Sequence, residues 1–305
     1  MGDVTVSAAG LVVAGVDGSD SSTRAAVHAA ECARRRGLGL LVVHVTPRGG
    51  GVPMAAREIQ ARFGESATAL VEAAAAAARA ATGLTDITAA VIDDYPVDGL
   101  LALSSEAALL VTGRRGIGGL PGLLLGSTAG ALVQHAECPV IALPDELGTQ
   151  EGGRLPVVVG VEGRPGDDAV LAFAVEEAAA RGVDLRAVHA WRDVTVESAV
   201  GGFGPVVDWS AIEAEEQRQL SEALAGWRSG DHGVRIEEVV ARDRAATALL
   251  HASASAQLLV VGHRHRSRLA RLGSTTHAVL HRAACPVAVV PLREQPGQAS
   301  GPGPS

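Results

Sequence analysis

The feature of this sequence that most constrains its fold is an internal duplication. Four short segments of the first half recur in the second half, in the same order and 145 to 149 residues later. The pairs are Val12–Gly18 with Val157–Gly163, Val42–Val45 with Ala187–Ala190, Leu109–Gly113 with Leu258–Gly262, and Cys138–Val140 with Cys285–Val287. Ordered matches at a nearly constant spacing indicate a tandem duplication of one domain.

Each repeat is predicted to be a domain of its own. The predicted domains are residues 8–144 and 154–292, and both are close to the length typical of one globular domain. Residues 293–305, which are rich in Pro, Gly, Gln and Ser, are predicted to be a disordered tail. Because aromatic residues make up only 2% of the chain, Ala, Val and Leu must build the cores.

Within each repeat, continuous apolar runs alternate with helical patterns. In the first repeat the predicted strands are 11–16, 40–45, 87–92, 109–112 and 140–143, and the predicted helices are 24–36, 55–82, 96–107 and 127–135. Strands that are apolar throughout are typical of a parallel sheet covered by helices on both faces. We therefore predict an α/β chain of two open, doubly wound domains.

Charge and cysteine usage exclude several classes of partner. The chain carries 34 acidic and 26 basic residues, which gives a formal net charge of −8. Nucleic-acid and membrane-surface binding need a basic face, so neither partner is predicted. Cys32, Cys138 and Cys285 are too far apart for a zinc motif or a disulfide framework. Without a leader pattern or an apolar run of membrane-spanning length, a cytoplasmic location is expected.

The apolar run Leu109–Thr112 leads into a glycine-rich loop that ends at a predicted helix. The loop has the spacing Gly113-x2-Gly116-x9-Gly126-Ser127-Thr128. Where a strand ends and a helix begins, backbone N–H groups and the helix dipole favour an anion. The spacing matches neither the phosphate loop Gly-x4-Gly-Lys nor the dinucleotide motif Gly-x-Gly-x-x-Gly. Taken alone, the loop is compatible with a phosphate cradle and with a plain surface turn.

Asp17 directly follows the first predicted strand. Ligands of doubly wound sheets bind beyond the carboxyl ends of the strands, where the strand order reverses. If the first and fourth strands are neighbours there, Asp17 and the loop at Gly113 face one crevice. A carboxylate can accept from ribose hydroxyls, while loop N–H groups and the hydroxyls that follow Gly126 bind phosphates. The alternative role of Asp17 is a helix N-cap, which Ser19 or Asp20 can also supply.

Other polar residues of the repeats are interpreted as structural. His44 and His189 recur at the end of the second strand of each repeat and are interpreted as buried histidines with backbone partners. Cys138 and Cys285 are interpreted as packed thiols, because no base lies next to them in sequence. Leu125 stands where the nucleophile motif Gly-x-Ser-x-Gly needs its first glycine. No catalytic residue is predicted.

The second repeat changes the loop. His265 replaces Gly116, the interval to the next glycine shortens from nine residues to seven, and Glu162 replaces Asp17. The extra methylene of Glu162 would occupy the space of a ribose, so weaker nucleotide binding is expected here. A zinc site of His263, His265, His277 and His281 is one interpretation of this region, and a solvated basic loop is the favoured one.

The tandem layout, the Val16-Asp17-Gly18-Ser19 turn and the glycine spacing together resemble the universal stress protein family in its two-domain form. This resemblance implies the strand order 3-2-1-4-5 in each domain and pairing of the last strands, 140–143 with 287–290. It implies ATP, together with Mg²⁺, in the first repeat. The implied positions are Gly15 and Val45 at the adenine, Asp17 at the ribose, and Gly113, Gly116, Gly126, Ser127 and Thr128 at the phosphates. The weaker counterparts in the second repeat are Gly160, Glu162, Gly262, Gly273, Ser274 and Thr275.

The sequence and the resemblance leave three hypotheses for the function of this chain. The leading hypothesis is an ATP-binding stress protein that acts through binding and a change of shape. The second is a slow ATPase or phosphotransfer enzyme that uses the same pocket, which lacks a phosphate-loop lysine. The third is a protein-interaction module without nucleotide. The protein partner and association into a homodimer are left open by the sequence.

Overall fold

The computed structural model describes residues 6–47, 57–117, 125–146, 154–164, 167–191, 208–228, 230, 232–264 and 272–292. The side chains of 57–63 are not described. The predicted tail at 293–305 and the predicted loop residue His265 lie outside these ranges.

The two repeats contain the same series of elements. In the first repeat these are β1 (Val12–Gly15), α1 (Asp20–Arg36), β2 (Leu40–Thr46), α2 (Arg57–Thr82), β3 (Ile87–Asp93), α3 (Pro96–Ser104), β4 (Leu109–Gly113), α4 (Ser127–His135) and β5 (Val140–Leu143). In the second they are β6 (Val157–Gly160), α5 (Asp167–Arg181), β7 (Leu185–Ala190), α6 (Trp209–Arg228), β8 (Ile236–Ala241), α7 (Ala245–Ser253), β9 (Leu258–Arg264), α8 (Ser274–Arg282) and β10 (Val287–Leu292).

Local chemistry sets the ends of α1. Ser19 is its N-cap, and its side chain accepts a hydrogen bond from the N–H of Ser22 at 3.1 Å. The helix therefore begins four residues before the apolar pattern predicted. Gly37 ends it in the left-handed region, with φ at 65°, a conformation that glycine adopts without steric cost.

Each repeat has the predicted strand order, with β3-β2-β1-β4-β5 in the first and β8-β7-β6-β9-β10 in the second. All pairs within a repeat are parallel. Because β1 pairs with both β2 and β4, the strand order reverses at β1. The carboxyl ends of β1 and β4 consequently lie side by side, as a ligand crevice requires.

The last strands of the two repeats pair with each other. β5 and β10 run antiparallel, with Val140 opposite Val289 and Ala142 opposite Val287. This pairing, which the resemblance implied, joins the repeats into one ten-stranded sheet. It also covers two apolar edges that would otherwise be open to pairing with other chains.

The core lies in two layers, one on each face of the sheet. One layer packs under α1, α2, α5 and α6, and the other packs under α3, α4, α7 and α8. Both layers contain residues of both repeats, so the hydrophobic core is continuous across the β5–β10 pairing. None of the helices within the described ranges is long and apolar enough to cross a bilayer.

The continuous core predicts that the β5–β10 pairing is a major source of stability. Ile141 lies on β5 opposite Ala288 and is fully buried. We expect Ile141→Ala to lower the free energy of unfolding by about 3 kcal/mol, because it leaves a cavity at the centre of the sheet.

The matched control is Ile92→Ala, which truncates a partly exposed residue on the outer strand β3. Its expected cost is about 1 kcal/mol. Urea unfolding followed by circular dichroism measures both losses. A loss for Ile141→Ala no larger than for Ile92→Ala would contradict a core that depends on this pairing.

Candidate functional site

A cavity of about 510 Å³ lies beyond the carboxyl ends of β1, β2 and β4. Its size lies within the range of small-molecule sites. All eight positions predicted for the first repeat line it, namely Gly15, Asp17, Val45, Gly113, Gly116, Gly126, Ser127 and Thr128. The structure thus brings together residues that are up to 113 positions apart in the sequence. Their role in binding a nucleotide stays a prediction.

The loop after β4 folds tightly onto the turn after β1. A Cβ atom on Gly116 would lie 2.3 Å from Oδ2 of Asp17. A Cβ on Gly113 would lie 2.5 Å from Oγ of Ser21 and 3.2 Å from the backbone oxygen of Arg115. A side chain at Gly116 would displace the carboxylate of Asp17, and one at Gly113 would displace the hydroxyl of Ser21 and crowd the backbone.

The start of α4 faces this cavity with its first turn uncapped. The N-cap is Gly126, which has no side chain to accept from the helix N–H groups, and its own N–H donates to the carbonyl of Arg114 at 2.8 Å. The first N–H groups of a helix lack partners within the helix. Ser127, Thr128 and Ala129 line the cavity, so this end of the helix is arranged to favour an anion.

Asp17 connects the turn after β1 with the loop after β4. Its Oδ1 accepts from the N–H and the hydroxyl of Ser19 at 3.0 and 2.7 Å, and its Oδ2 accepts from the N–H of Ile117 at 2.8 Å. Burial raises the pKa of Asp17, but the hydrogen bonds from Ser19, Ile117 and Ser22 together bring it below the usual value. Because Ser19 is the N-cap of α1, the alternative role of Asp17 as the cap is wrong.

Several lining residues were missed by reasoning from the sequence. Val43, Pro96, Leu100 and Leu125 supply an apolar wall, and a Cβ on Gly15 would lie 3.1 Å from Leu100. No motif marks these positions: Pro96 and Leu100 reach the cavity through the packing of α3 on the sheet, Val43 lies on β2, and Leu125 directly precedes Gly126.

Arg114 and Arg115 in the loop were also missed, and each has a partner elsewhere. The buried Arg114 donates to the carbonyls of His281 and Ala283 at the end of α8, at 3.4 and 3.2 Å. Burial lowers its pKa, while Asp145 opposes this shift. Arg115 pairs with Asp145 at 2.5 Å. The loop of the first repeat is thus tied directly to the second repeat.

Both histidines have the backbone partner predicted for them, but only His189 is buried as predicted, because His44 is partly exposed and lines the crevice. Nδ1 of His44 lies 2.7 Å from the carbonyl of Val16, and Nδ1 of His189 lies 2.8 Å from the carbonyl of Val161. All three cysteines are free and buried. Burial raises the pKa values of Cys138 and Cys285 to about 12, as expected for packed thiols.

The second repeat keeps the packing of this region and changes its polar chemistry. A Cβ on Gly160 would lie 3.1 Å from Leu249, the same spacing as between Gly15 and Leu100. Glu162, however, points outward with 65% of its side chain exposed. Asp167 accepts from the N–H groups of three turn residues, Glu162, Gly163 and Arg164, at 2.7 to 3.2 Å. Asp167 was not singled out in the sequence, although it stands 145 residues after Ser22.

The remaining positions predicted in the second repeat surround the start of α8. Gly262 is a partly buried residue of β9 that follows the buried run Leu258–Val261, and Gly273 is the N-cap of the helix that begins with Ser274 and Thr275. The rings of His277 and His281 lie 4.2 Å apart. Among the described residues no group of three potential metal ligands occurs. The four-histidine hypothesis also needs His265, which lies outside those residues.

Comparison with known proteins gives the chain's relationships. The model of the universal stress protein family matches it twice, at residues 11–144 and 154–291. Universal stress protein Rv2005c of Mycobacterium tuberculosis is 38% identical over 287 residues, covering 91% of this chain and 96% of the relative. Rv1996 of the same organism is 34% identical over 305 residues, covering 93% and 96%. This chain belongs to the universal stress protein family.

The fold is likewise known from crystallography. A universal stress protein from Archaeoglobus fulgidus matches with a TM-score of 0.66 and 19% identity, covering 92% of this chain and 96% of that one. At this identity the match concerns the fold alone, and it agrees with two tandem α/β domains.

The hydrogen bonds of Asp17 predict a pH-dependent contribution to stability. We expect Asp17→Asn to cost about 1 to 2 kcal/mol at pH 7, because an amide nitrogen cannot accept from these N–H groups. The pKa of Asp17 is lowered on folding, so its contribution is complete above the unfolded value of 3.8 and is lost as the pH falls through the folded value. The difference between the wild type and the variant should therefore stay constant down to about pH 4 and shrink as the pH falls further in urea unfolding.

Glu162→Gln is the matched control, since it makes the same chemical change at the equivalent position of the second repeat. Because Glu162 is exposed, a change within about 0.5 kcal/mol is expected. Equal losses for the two variants, or a loss at Asp17 that does not vary with pH, would contradict the role given to Asp17.

Proposed function

We propose that this tandem universal stress protein binds ATP, together with Mg²⁺, in the crevice of the first repeat. One observation carries the proposal: all eight positions implied for a nucleotide line a single cavity at the point where the strand order reverses. An apolar wall on one side and an uncapped helix start on the other match the two chemical ends of a nucleotide.

The lining residues suit each part of the ligand. The main chain at Gly15 and Val45, beside Val43 and Leu100, suits an adenine ring. Phosphates suit the backbone at Gly113 and Gly116 and the start of α4. In proteins Mg²⁺ is bound by phosphate oxygens with one or two carboxylates or other oxygen donors. The hydroxyls of Ser127 and Thr128 supply such donors here.

Asp17 retains capacity for a ribose hydroxyl. A carboxylate has about four acceptor positions, and three N–H or O–H groups occupy Asp17. Its second oxygen accepts the N–H of Ile117, and the fourth position is open to the hydroxyl of Ser22 or to a ribose hydroxyl that takes its place. The same carboxylate can therefore hold the loop closed and accept from the sugar.

The two repeats differ in the residues that matter for this role. Glu162 is exposed where Asp17 is held against the loop, and Asp167 organises the turn in its place. We therefore propose one nucleotide per chain, in the first repeat.

The proposed role is binding that regulates a partner, rather than turnover. The chain contains no lysine that could bridge the β- and γ-phosphates. His44, the histidine that lines the crevice, uses Nδ1 in a contact with a backbone carbonyl. We place this activity in the cytoplasm, where free cysteines such as the three of this chain stay reduced.

The proposal predicts that Gly126→Val abolishes nucleotide binding without unfolding the chain. Gly126 has φ −70° and ψ 156°, which any residue adopts. Its Cβ would lie 3.4 Å from the carbonyl oxygen of Arg114, so valine fits the backbone while its methyl groups enter the cradle. In calorimetric titrations with ATP and magnesium, we expect one equivalent per wild-type chain and affinity at least 100-fold weaker for the variant, about 3 kcal/mol.

The matched control is Gly273→Val, the same change at the N-cap of α8, where a Cβ would have no neighbour within 4 Å among the residues that the structure describes. It should bind ATP like the wild type. Absence of binding to the wild type, or equal binding by Gly126→Val, would refute the proposal. Two equivalents per chain would refute the difference between the repeats.

A further inference from the structure

A second cavity, of about 500 Å³, lies where the two repeats meet. Its walls come from α1 and β5 of the first repeat and from α5 and the start of β10 of the second. Val27, Leu143 and Pro286 form its apolar part, and the polar part consists of Thr23, Arg24, His28, Glu31, Arg35, Arg181 and Gln257. It shares none of these described residues with the crevice of the first repeat.

Two residues that line this cavity each have a buried nitrogen atom without a hydrogen-bond partner within the described part of the chain. These atoms are Nη2 of Arg181 and Nε2 of His28. The side chain of Arg181 is only 3% exposed, and its Nη1 donates to Glu177 on the same helix. A buried donor without an acceptor destabilises the folded state, and a charged donor does so more strongly. An acceptor is therefore missing from a site that contains a buried positive charge.

The duplication shows which acceptor is missing. Arg36 and Arg181 occupy equivalent positions, 145 residues apart, directly before the matching glycines that end α1 and α5. Arg36 donates from Nε and Nη2 to Oε1 of Glu177 at 3.0 and 2.5 Å, and its guanidinium lies 5.0 Å from the ring centre of Phe173.

The residues equivalent to this pair on the Arg181 side are different. Cys32 stands in the place of Glu177, and His28 stands in the place of Phe173. Arg181 forms a hydrogen bond with Cys32, but burial raises the pKa of Cys32, so this thiol is a neutral and weak acceptor. The carboxylate that Arg36 receives thus has no counterpart for Arg181, and a cavity occupies the position.

We propose that this cavity binds a small anion, a carboxylate or a phosphate, between Arg181 and His28. The anion accepts from Nη2 of Arg181 and from Nε2 of His28 in its Nε2–H tautomer. Arg24 and Arg35 add positive charge, against the single carboxylate of Glu31 among the described lining residues. Val27, Leu143 and Pro286 form an apolar wall against which the carbon atoms of a small organic anion can pack. Because both repeats contribute donors, the bound anion holds them together.

The charge state of His28 supports its role as a neutral donor. Burial, followed by the charges of Arg181 and Arg35, lowers its pKa to about 3. The imidazole is therefore uncharged near neutral pH, and it donates one hydrogen bond without adding a further charge.

The test uses the full chain and two probes, inorganic phosphate and malonate, in calorimetric titrations with sodium chloride at matched ionic strength as the blank. The variants are His28→Phe, which copies the residue of the other repeat and fills the cavity, and Arg181→Met, which leaves Glu177 paired with Arg36. The control is Arg186→Met, which makes the same charge change on β7, where Arg186 pairs with Glu237 at 2.8 Å.

Relative to the sodium chloride blank, we expect one equivalent of phosphate, of malonate or of each to bind to this cavity in the wild type. Arg186→Met should bind the same probe with an affinity within twofold of the wild type. His28→Phe and Arg181→Met should each bind it at least tenfold more weakly. Preference for one probe identifies the chemical class of the ligand. Binding of neither probe to the wild type, or equal binding by His28→Phe, overturns the proposal.

Two measurements keep the result interpretable. Thermal melts followed by circular dichroism establish that each variant is folded, and His28→Phe decides the question alone if Arg181→Met does not fold. ATP titration of His28→Phe should match the wild type, because His28 lies outside the crevice of the first repeat. Failure of this proposal is therefore distinct from failure of nucleotide binding.

Discussion

The antiparallel pairing of β5 with β10 is the interaction on which the arrangement of the two repeats depends. It removes two apolar sheet edges, which would otherwise be free to pair with other chains. It also makes both core layers continuous from one repeat to the other. Two further features follow from this one contact. Arg114 of the first repeat reaches the carboxyl end of α8, and α1 packs near α5 with a cavity between them.

Duplication has kept packing and changed polar chemistry. Gly15 and Gly160 meet equivalent leucines at the same distance, so the strand ends are built alike. In the turn that follows, the first repeat relies on Asp17 and the second on Asp167. Where the repeats meet, Arg36 donates to Glu177 and lies over the ring of Phe173. The equivalent positions facing Arg181 hold Cys32 and His28, and neither supplies a carboxylate. Apolar contacts tolerate few changes of shape in a close-packed core. Polar residues at cavities are less constrained, and there the repeats have become different.

The candidate site was predictable to the extent that it is local in sequence. The glycine spacing and the residue after β1 are short patterns, and all eight predicted positions line the crevice. The apolar wall at Leu100 and the anchoring of Arg114 on α8 were not predictable in this way. Both depend on contacts between elements far apart in the chain, and neither residue carries a pattern of its own. The same holds for Asp167. Its role in organising the turn after β6 is visible only from the hydrogen bonds that it accepts from three backbone N–H groups.

The sequence by itself determined the duplication, the alternation of strands and helices, and the identity of the loop that enters the crevice. These are consequences of periodicity and of local conformational preference, which act over a few residues. Only the tertiary structure decided which carboxylate holds the loop, how α1 is capped, and that Arg181 lacks the acceptor that Arg36 has. Such outcomes depend on which side chains meet across a sheet junction. That geometry is fixed by packing of the whole chain and not by the residues on either side of each position.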